Sequence, residues 1–317
     1  MSEPGLISPG GAPLRPRLEG RVGLALGSGA GRGWAHVGVI RGLEALGVVP
    51  DVVCGCSSGA LVGALYVAGE LDAFEAWGKT LDRRQLMGYF DLSLRGGLIK
   101  AVRLLDAAAG SLNHLRIEEL SRPFACVATD LASGREIWLR EGSLPTLLRA
   151  SMAIPGFVTP VRHEGRWLVD GGLVNAVPVS LCRALGADTV IAVDLNTTLL
   201  RRRFDEPPAA AEPAEPVESE SEEATALATI RDFVQELRQR VSSAEPVEED
   251  PPPSIYEVIV NALNVMQVRM TRSRMAGDPP EVLVVPRLGD FGFLDFHRAS
   301  EGIEEGRQAL ERALVRN

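Results

Sequence analysis

Residues 22 to 68 lay down two kinds of local pattern in an order that few architectures accept. Val22-Gly23-Leu24-Ala25-Leu26 is a short continuous apolar run, the pattern of a buried strand. A glycine-rich loop follows it, Gly27-Ser28-Gly29-Ala30-Gly31-Arg32-Gly33. A helix then begins near Trp34, with Val37, Ile40, Leu43 and Leu46 on one face and Gly47 placed to end it. Asp51-Val52-Val53-Cys54-Gly55 reads as a second strand, Ser57 sits on the turn after it, and Ala60 to Ala68 continue as a buried helix. This succession implies a parallel sheet with helices on its faces.

The stretch to Leu120 reads as helical and amphipathic. Phe124 to Thr129 is another strand, with Glu136 to Arg140 as its hairpin partner across Ser133-Gly134. Leu144 to Ser151 is a short helix stopped by Pro155-Gly156. Arg166 to Asp170 is a strand that runs into Gly171-Gly172, and Thr189 to Asp194 is a further buried strand. The composition then changes. Asp205 to Glu223 holds eight acidic residues, four prolines and no basic residue, and Glu245 to Pro253 is a second acidic, proline-rich stretch. Such segments bury too little apolar surface to offset their ordering entropy, so both read as disordered insertions, at 205–223 and 245–253. Between them Leu227, Ile230, Phe233, Val234, Leu237 and Val241 recur at helical spacing. A helix from about Ile255 to Arg274, a strand at Glu281 to Val285 and a helix from about Ser300 complete the chain.

The net charge of −9 over 317 residues describes these insertions more than the body. With the twelve acidic residues of the two stretches set aside, the remaining chain carries +3. Peripheral contact with an anionic membrane surface therefore stays open. The argument against a nucleic-acid partner rests on the chemistry of the motifs and not on charge. Met1 to Gly20 has prolines and glycines but no apolar core of a signal peptide, and reads as a flexible lead-in. The most apolar stretch, Gly59 to Gly69, is far shorter than the roughly 20 residues that span a bilayer. A cytoplasmic location is expected. Cys54, Cys56, Cys126 and Cys182 form neither a disulfide framework nor a metal set, and are expected to be reduced packing residues. No cofactor and no metal is called for.

Three motifs carry chemistry. Gly55-Cys56-Ser57-Ser58-Gly59 is a G-x-S-x-G pentapeptide between a strand and a helix, the context of a nucleophile elbow. The alternative is a tight turn with a capping serine. The loop Gly27 to Gly33 can aim backbone N–H groups at an anion. No frame of its glycines gives the dinucleotide fingerprint. The sole Walker-like Gly78-Lys79-Thr80 has Ala73 where a glycine is required. A reaction oxyanion suits the loop better than a nucleotide phosphate. Arg32 would hold the loop or attract an anionic head group, unless a local carboxylate ties it down. Asp170-Gly171-Gly172 ends a strand on the rim where α/β sheets place their sites, and Asp170 could accept the Ser57 proton. Of the four histidines, His36, His114, His163 and His297, the order Ser57, Asp170, His297 would suit a hydrolase triad. A two-residue Ser–Asp site is the simpler account, because the serine comes so early. Arg269, Arg272 and Arg274 lie on one helix, facing either lipid head groups or solvent.

Taken together, the glycine loop from Leu26 to Gly33, the Ser57 pentapeptide and Asp170-Gly171-Gly172 resemble the patatin-like phospholipase family. More closely they resemble its small bacterial branch, related to the catalytic domain of neuropathy target esterase. Thr129-Asp130-Leu131, Ser151 to Gly156 and Gly165 to Pro178 fit as well. The resemblance covers about Val22 to Asn196 and, more loosely, the helix from Met266 to Arg274. It implies a three-layer α/β/α fold with a mostly parallel sheet over 21–317. It also implies a serine acyl-ester hydrolase of phospholipase or lysophospholipase type, acting on a fatty-acyl ester or phospholipid. Ser57 would be the nucleophile, Asp170 its base, and the amides of Gly29, Ala30 and Arg32 the oxyanion hole. The family's loop commonly reads Gly-Gly-x-Arg-Gly, and here Ala30 and Gly31 fill its middle positions. Leu61, Leu98, Ile99 and Phe157 are candidates to line an acyl pocket, with core packing the competing and favoured role for each. The competing reading is a non-catalytic or mainly regulatory protein that keeps this fold for protein or membrane contacts.

Overall fold

Val22–Leu26 and Val52–Cys56 are buried at every position, as strands between two helical layers must be. They pair in parallel at the centre of the sheet. A computed structural model describes residues 18–89, 102–199 and 255–316. In chain order, the elements are β1 (Val22–Leu26), α1 (Trp34–Ala45), β2 (Val52–Cys56), α2 (Ser58–Ala68), α3 (Leu71–Thr80), α4 (Arg83–Gly88) and α5 (Val102–Ala109). There follow β3 (Phe124–Asp130), β4 (Glu136–Leu139), α6 (Leu144–Ser151), β5 (Val161–His163), β6 (Arg166–Asp170), α7 (Val179–Ala184) and β7 (Thr189–Val193). Last come α8 (Ile255–Gly277), β8 (Val282–Val284) and α9 (Ala299–Arg316). By contact density the chain divides into Met1–Arg203 with Val260–Asn317, which holds the sheet, and Phe204–Ile259. Both acidic stretches, the 227–241 spacing and nearly all of the N-terminal lead-in fall outside the described residues.

The strands hydrogen-bond in the succession β5-β6-β3-β2-β1-β7-β8, with β4 on β3. The pairs β1–β2, β2–β3, β1–β7 and β7–β8 are parallel. Alternate residues feed two cores. Leu24, Leu26, Val53, Phe124, Cys126, Ile191 and Val193 pack under α1, α2, α3, α6 and α9. Ala25, Val52, Cys54, Ala125, Val127, Val190 and Ala192 pack under α7 and Met275 of α8. This is the three-layer α/β/α arrangement. The four cysteines are free and buried, and burial pushes the Cys126 thiol up to about 12, so they behave as small packing groups.

The hairpin of β5 and β6 has no counterpart in the sequence reading. Val161–His163 pairs with β6 across the turn at Glu164 and Gly165. Both turn residues have positive φ, 46° and 78°, which matches the twist of the flanking strands. That hairpin makes β6 run antiparallel to β3. Cys126 and Val127 pair with both β2 and β4, whereas Ala128 and Thr129 pair with both β4 and β6. So β2 and β6 share one edge of β3 and approach each other end to end.

Helices α1 and α9 touch through glycines. A β-carbon on Gly38 would stand 1.8 Å from the Ile303 carbonyl oxygen. In an open helix, Gly to Ala stabilises by about 1 kcal/mol. Here the added methyl must push two helices apart, which costs more than it returns. Gly38→Ala should lower the thermal unfolding midpoint by on the order of 5 °C or more. Gly88→Ala, with nothing within 4 Å of the new atom, should not lower it. Circular dichroism melts of the two variants check both outcomes.

Candidate active site

The end of β2 forces its next residue into a strained turn. Ser57 has φ 55° and ψ −121°, a region that costs a side-chain-bearing residue about 1–3 kcal/mol. The strain persists because the surroundings fix it. Gly59, at the start of α2, lies so close to β1 that a β-carbon would stand 2.2 Å from the Leu26 carbonyl oxygen. The Ser57 amide donates to Ser151 Oγ at 3.0 Å, and Ser151 Oγ donates to the Val127 carbonyl at 2.7 Å. Ser151 therefore fastens the elbow to β3. A serine at a helix end carries no signal of this role in the sequence.

Asp170 faces this turn because β6 ends against Ala128, the residue after the Val127 that pairs with Cys56. Its main chain is held on both sides. The Asp170 amide donates to Ala153 O at 2.9 Å, and Thr129 Oγ1 donates to Asp170 O at 2.8 Å. Carboxyl Oδ1 accepts the Gly172 N–H at 2.7 Å. The Ser57 hydroxyl stands close enough to the carboxyl to draw its pKa down. Oδ2 has no formed hydrogen bond among the described residues. Asp170 is 3% exposed, and burial raises its pKa to about 6 against the opposing pull of the Ser57 and Gly172 hydrogen bonds.

The glycine loop sits beside the switch point between β1 and β7. Most of its amides are committed. Gly27 donates to Val193 O at 3.0 Å, Ser28 to Ala176 O at 2.8 Å and Gly31 to Phe293 O at 3.0 Å. The Arg32 amide, which the family resemblance assigns to the oxyanion hole, donates to Gly29 O at 3.1 Å, and Arg32 Nε donates to the same oxygen at 2.9 Å. The tight turn of the loop consumes that amide, so Arg32 acts here as a brace for the loop. Among the described residues, the amides of Gly29 and Ala30 meet no acceptor. Ala30 has φ 50°, so the alanine is held where a glycine would rest without strain. His36 Nε2 donates to Gly27 O at 2.7 Å; burial lowers its pKa to about 4, which keeps the ring neutral. No histidine hydrogen-bonds Ser57 or Asp170 among the described residues. The Nε2 of His297, the histidine of the triad alternative, accepts from Arg83 Nε at 3.2 Å.

Two cavities meet at this point. An apolar pocket opens on Ser57 and is walled by Trp34, Leu61, Phe74, Trp77, Phe157 and Phe293, among others. Trp34 and Phe74 stack at 4.5 Å. Leu61 and Phe157 were expected there, while Leu98 and Ile99 lie outside the described residues. Phe293, Leu294 and Phe296 were not foreseen, because a loop some 260 residues downstream gives no local sign of its destination. That loop is tied in by Trp34 Nε1, which donates to Phe296 O at 2.8 Å. The second cavity is small and polar, and Asp170 lines it with Ser28, Arg32, Asn264 and Gln267. Of the α8 arginines, Arg269 and Arg272 are exposed, but Arg274 is paired with Glu136 at 2.6 Å. No described helix is long and apolar enough to cross a membrane.

The patatin-like phospholipase family model matches residues 24–183. The chain belongs to this family. An uncharacterized NTE family protein of Mycobacterium tuberculosis is 33% identical over 96% of this chain and 95% of its own length. A second one from that species is 28% identical over 97% of this patatin-like chain and 49% of its own length. The lysophospholipase nte1 of Aspergillus fumigatus is 35% identical over 58% of this chain, which corresponds to 12% of that much longer protein. Both motif regions, around Ser57 and around Asp170, lie inside the matched span.

Burying a carboxylate has a measurable consequence. Between the ordinary aspartate pKa of 3.8 and about 6, the folded chain binds more protons at Asp170 than the unfolded chain does. Stability therefore falls as pH rises through this window, and the full cost remains above it. Asp170→Asn can keep the Gly172 bond without the charge. It should melt a few degrees higher than wild type at pH 8 and level with it below about pH 4. Differential scanning fluorimetry across that range would show a constant difference if the carboxylate were not the cause.

Proposed function

We propose that this chain is a serine acyl-ester hydrolase acting on a phospholipid, a lysophospholipid or another fatty-acyl ester. Ser57 is the nucleophile and Asp170 its general base. The observation that carries this reading is a serine hydroxyl set against a buried carboxyl at the mouth of an apolar pocket. Membership of a phospholipase family supports the substrate class, and the name of the fungal relative favours lysophospholipids within it.

In the first half-reaction Asp170 takes the hydroxyl proton while Ser57 Oγ attacks the ester carbonyl. The acyl chain lies in the pocket lined by Leu61, Phe74 and Phe157, where water is excluded. The carbonyl oxygen turns negative and is met by the Gly29 and Ala30 amides, with the start of α2 adding its dipole. One well-aimed oxyanion donor is worth about 3–4 kcal/mol, so the loop contributes as much as a good base. The alcohol takes the proton from Asp170 and leaves, and water then releases the acid from Ser57.

Ser57→Ala and Asp170→Ala should each reduce p-nitrophenyl ester hydrolysis by at least about a thousandfold, with folded protein by circular dichroism. Retained activity in either variant would sink the pair. Labelling by a fluorophosphonate should occur in wild type and vanish in Ser57→Ala; no labelling of wild type would favour a regulatory protein. Because Asp170 must be ionised to accept a proton, kcat/KM should rise with pH through about 6 and level off above it.

A further inference from the structure

The polar cavity beside Asp170 is distinct from the apolar pocket, although Ala30, Ile154 and Phe293 border both. It offers about 20 Å³ of space, and a single water needs on the order of 10–15 Å³. That is too little for a phosphate head group. It is enough for one water, provided two to four polar groups converge on it. They do. Asp170 is buried, and its Oδ2 has no formed hydrogen bond among the described residues. Asn264, buried on α8, and Gln267 on the same helix close the opposite wall.

Gln267 Oε1 accepts from Asn196 Nδ2 at 2.8 Å, and the backbone N–H of Asn196 donates to Asp194 Oδ1 at 2.9 Å. This leaves the donor end, Nε2, facing the Asp170–Gly172 corner. A β-carbon on Gly172 would stand 2.5 Å from Gln267 Nε2 and 2.9 Å from Asp170 Oδ1, so both side chains border the same corner. No direct hydrogen bond joins Gln267 to Asp170, and two polar groups left unjoined beside a cavity suit a bridging water.

We propose that this cavity is the site of the hydrolytic water, with Gln267 and Asn264 as its positioning residues. The proposal rests on the reading of Ser57 and Asp170 as nucleophile and base. Once the ester is cleaved, the acyl chain fills the apolar side, and water reaches the acyl carbon from the polar side. The water oxygen bonds to that carbon as its proton passes to Asp170. The tetrahedral intermediate then collapses, the bond from carbon to Ser57 Oγ breaks, and Asp170 returns the proton to Ser57. The released products are the fatty acid and the free serine. Attack on the ester itself needs no water, so the two half-reactions depend differently on α8.

The test separates them. Wild type, Gln267→Leu and Asn264→Leu are mixed with a p-nitrophenyl ester, quenched in acid and analysed by intact mass spectrometry and peptide mapping. Fluorophosphonate labelling rates are measured alongside. Gln267→Leu should label at the wild-type rate and turn over at least about tenfold more slowly, with an acyl adduct building up on the Ser57 peptide. Asn264→Leu should shift in the same direction. Reduced turnover without accumulated adduct, or unchanged turnover, would overturn the water site while normal labelling left the Ser57 reading intact. Failure of wild type to label at Ser57 would overturn that reading and this one with it.

Discussion

One edge of β3 is shared by two strands that arrive from opposite directions. β2 pairs along it as far as Val127, and β6 takes over at Ala128. Neither strand can continue, since each is blocked by the other. β2 escapes through the strained Ser57 turn into α2, and β6 through Gly171 and Gly172. The meeting point puts a hydroxyl and a buried carboxyl side by side. The rest of the molecule holds that collision in place. Ser151 bolts the turn to β3, Thr129 and Ala153 hold the Asp170 main chain, and the Leu26 carbonyl presses against Gly59.

Energy flows in a consistent direction through this arrangement. The three-layer core supplies the surplus, and the site consumes part of it in three ways. Ser57 and Ala30 sit at positive φ, Asp170 ionises in an apolar setting, and the amides of Gly29 and Ala30 are left without acceptors. Each would be a defect in a protein that only had to fold. On the proposed reading, together they form a surface preorganised for negative charge that develops on a substrate atom. His36 belongs to the same logic. As a neutral ring it donates to the Gly27 carbonyl and steadies the loop without introducing a second charge.

The division of the site into an apolar and a polar side follows from which elements line it. The apolar side is walled by α1, α2, α3, α5 and the loop carrying Phe293. The polar side is walled by the first turn of the glycine loop and by α8. Ala30, Ile154 and Phe293 border both sides, so on the proposed reading a substrate at Ser57 meets apolar walls in one direction and hydrogen-bonding groups in the other. The α8 arginines divide in the same spirit. Arg274 secures the helix to Glu136 on β4, while Arg269 and Arg272 stay on its exposed face.

Short-range chemistry was legible in the chain itself. The apolar run at Val22–Leu26, the glycines around Ser57 and the turn at Asp170-Gly171-Gly172 announced buried parallel strands, an elbow and a rim residue, because each depends on neighbours a few positions away. The four buried cysteines and the long helices were legible for the same reason. Pairing was not. Nothing local says that β6 runs against β3, that the Arg32 amide closes on Gly29, or that Ser151 reaches the Ser57 amide. Nor does anything local say that Phe293 and Gln267 return to a loop more than two hundred residues earlier. Those outcomes depend on which edges remain open after the central strands have packed and on which buried donors still need acceptors. The sequence by itself determined the candidate groups and the layers that carry them. Only the tertiary structure decided their spacing, because long-range register and burial are settled when the whole core closes.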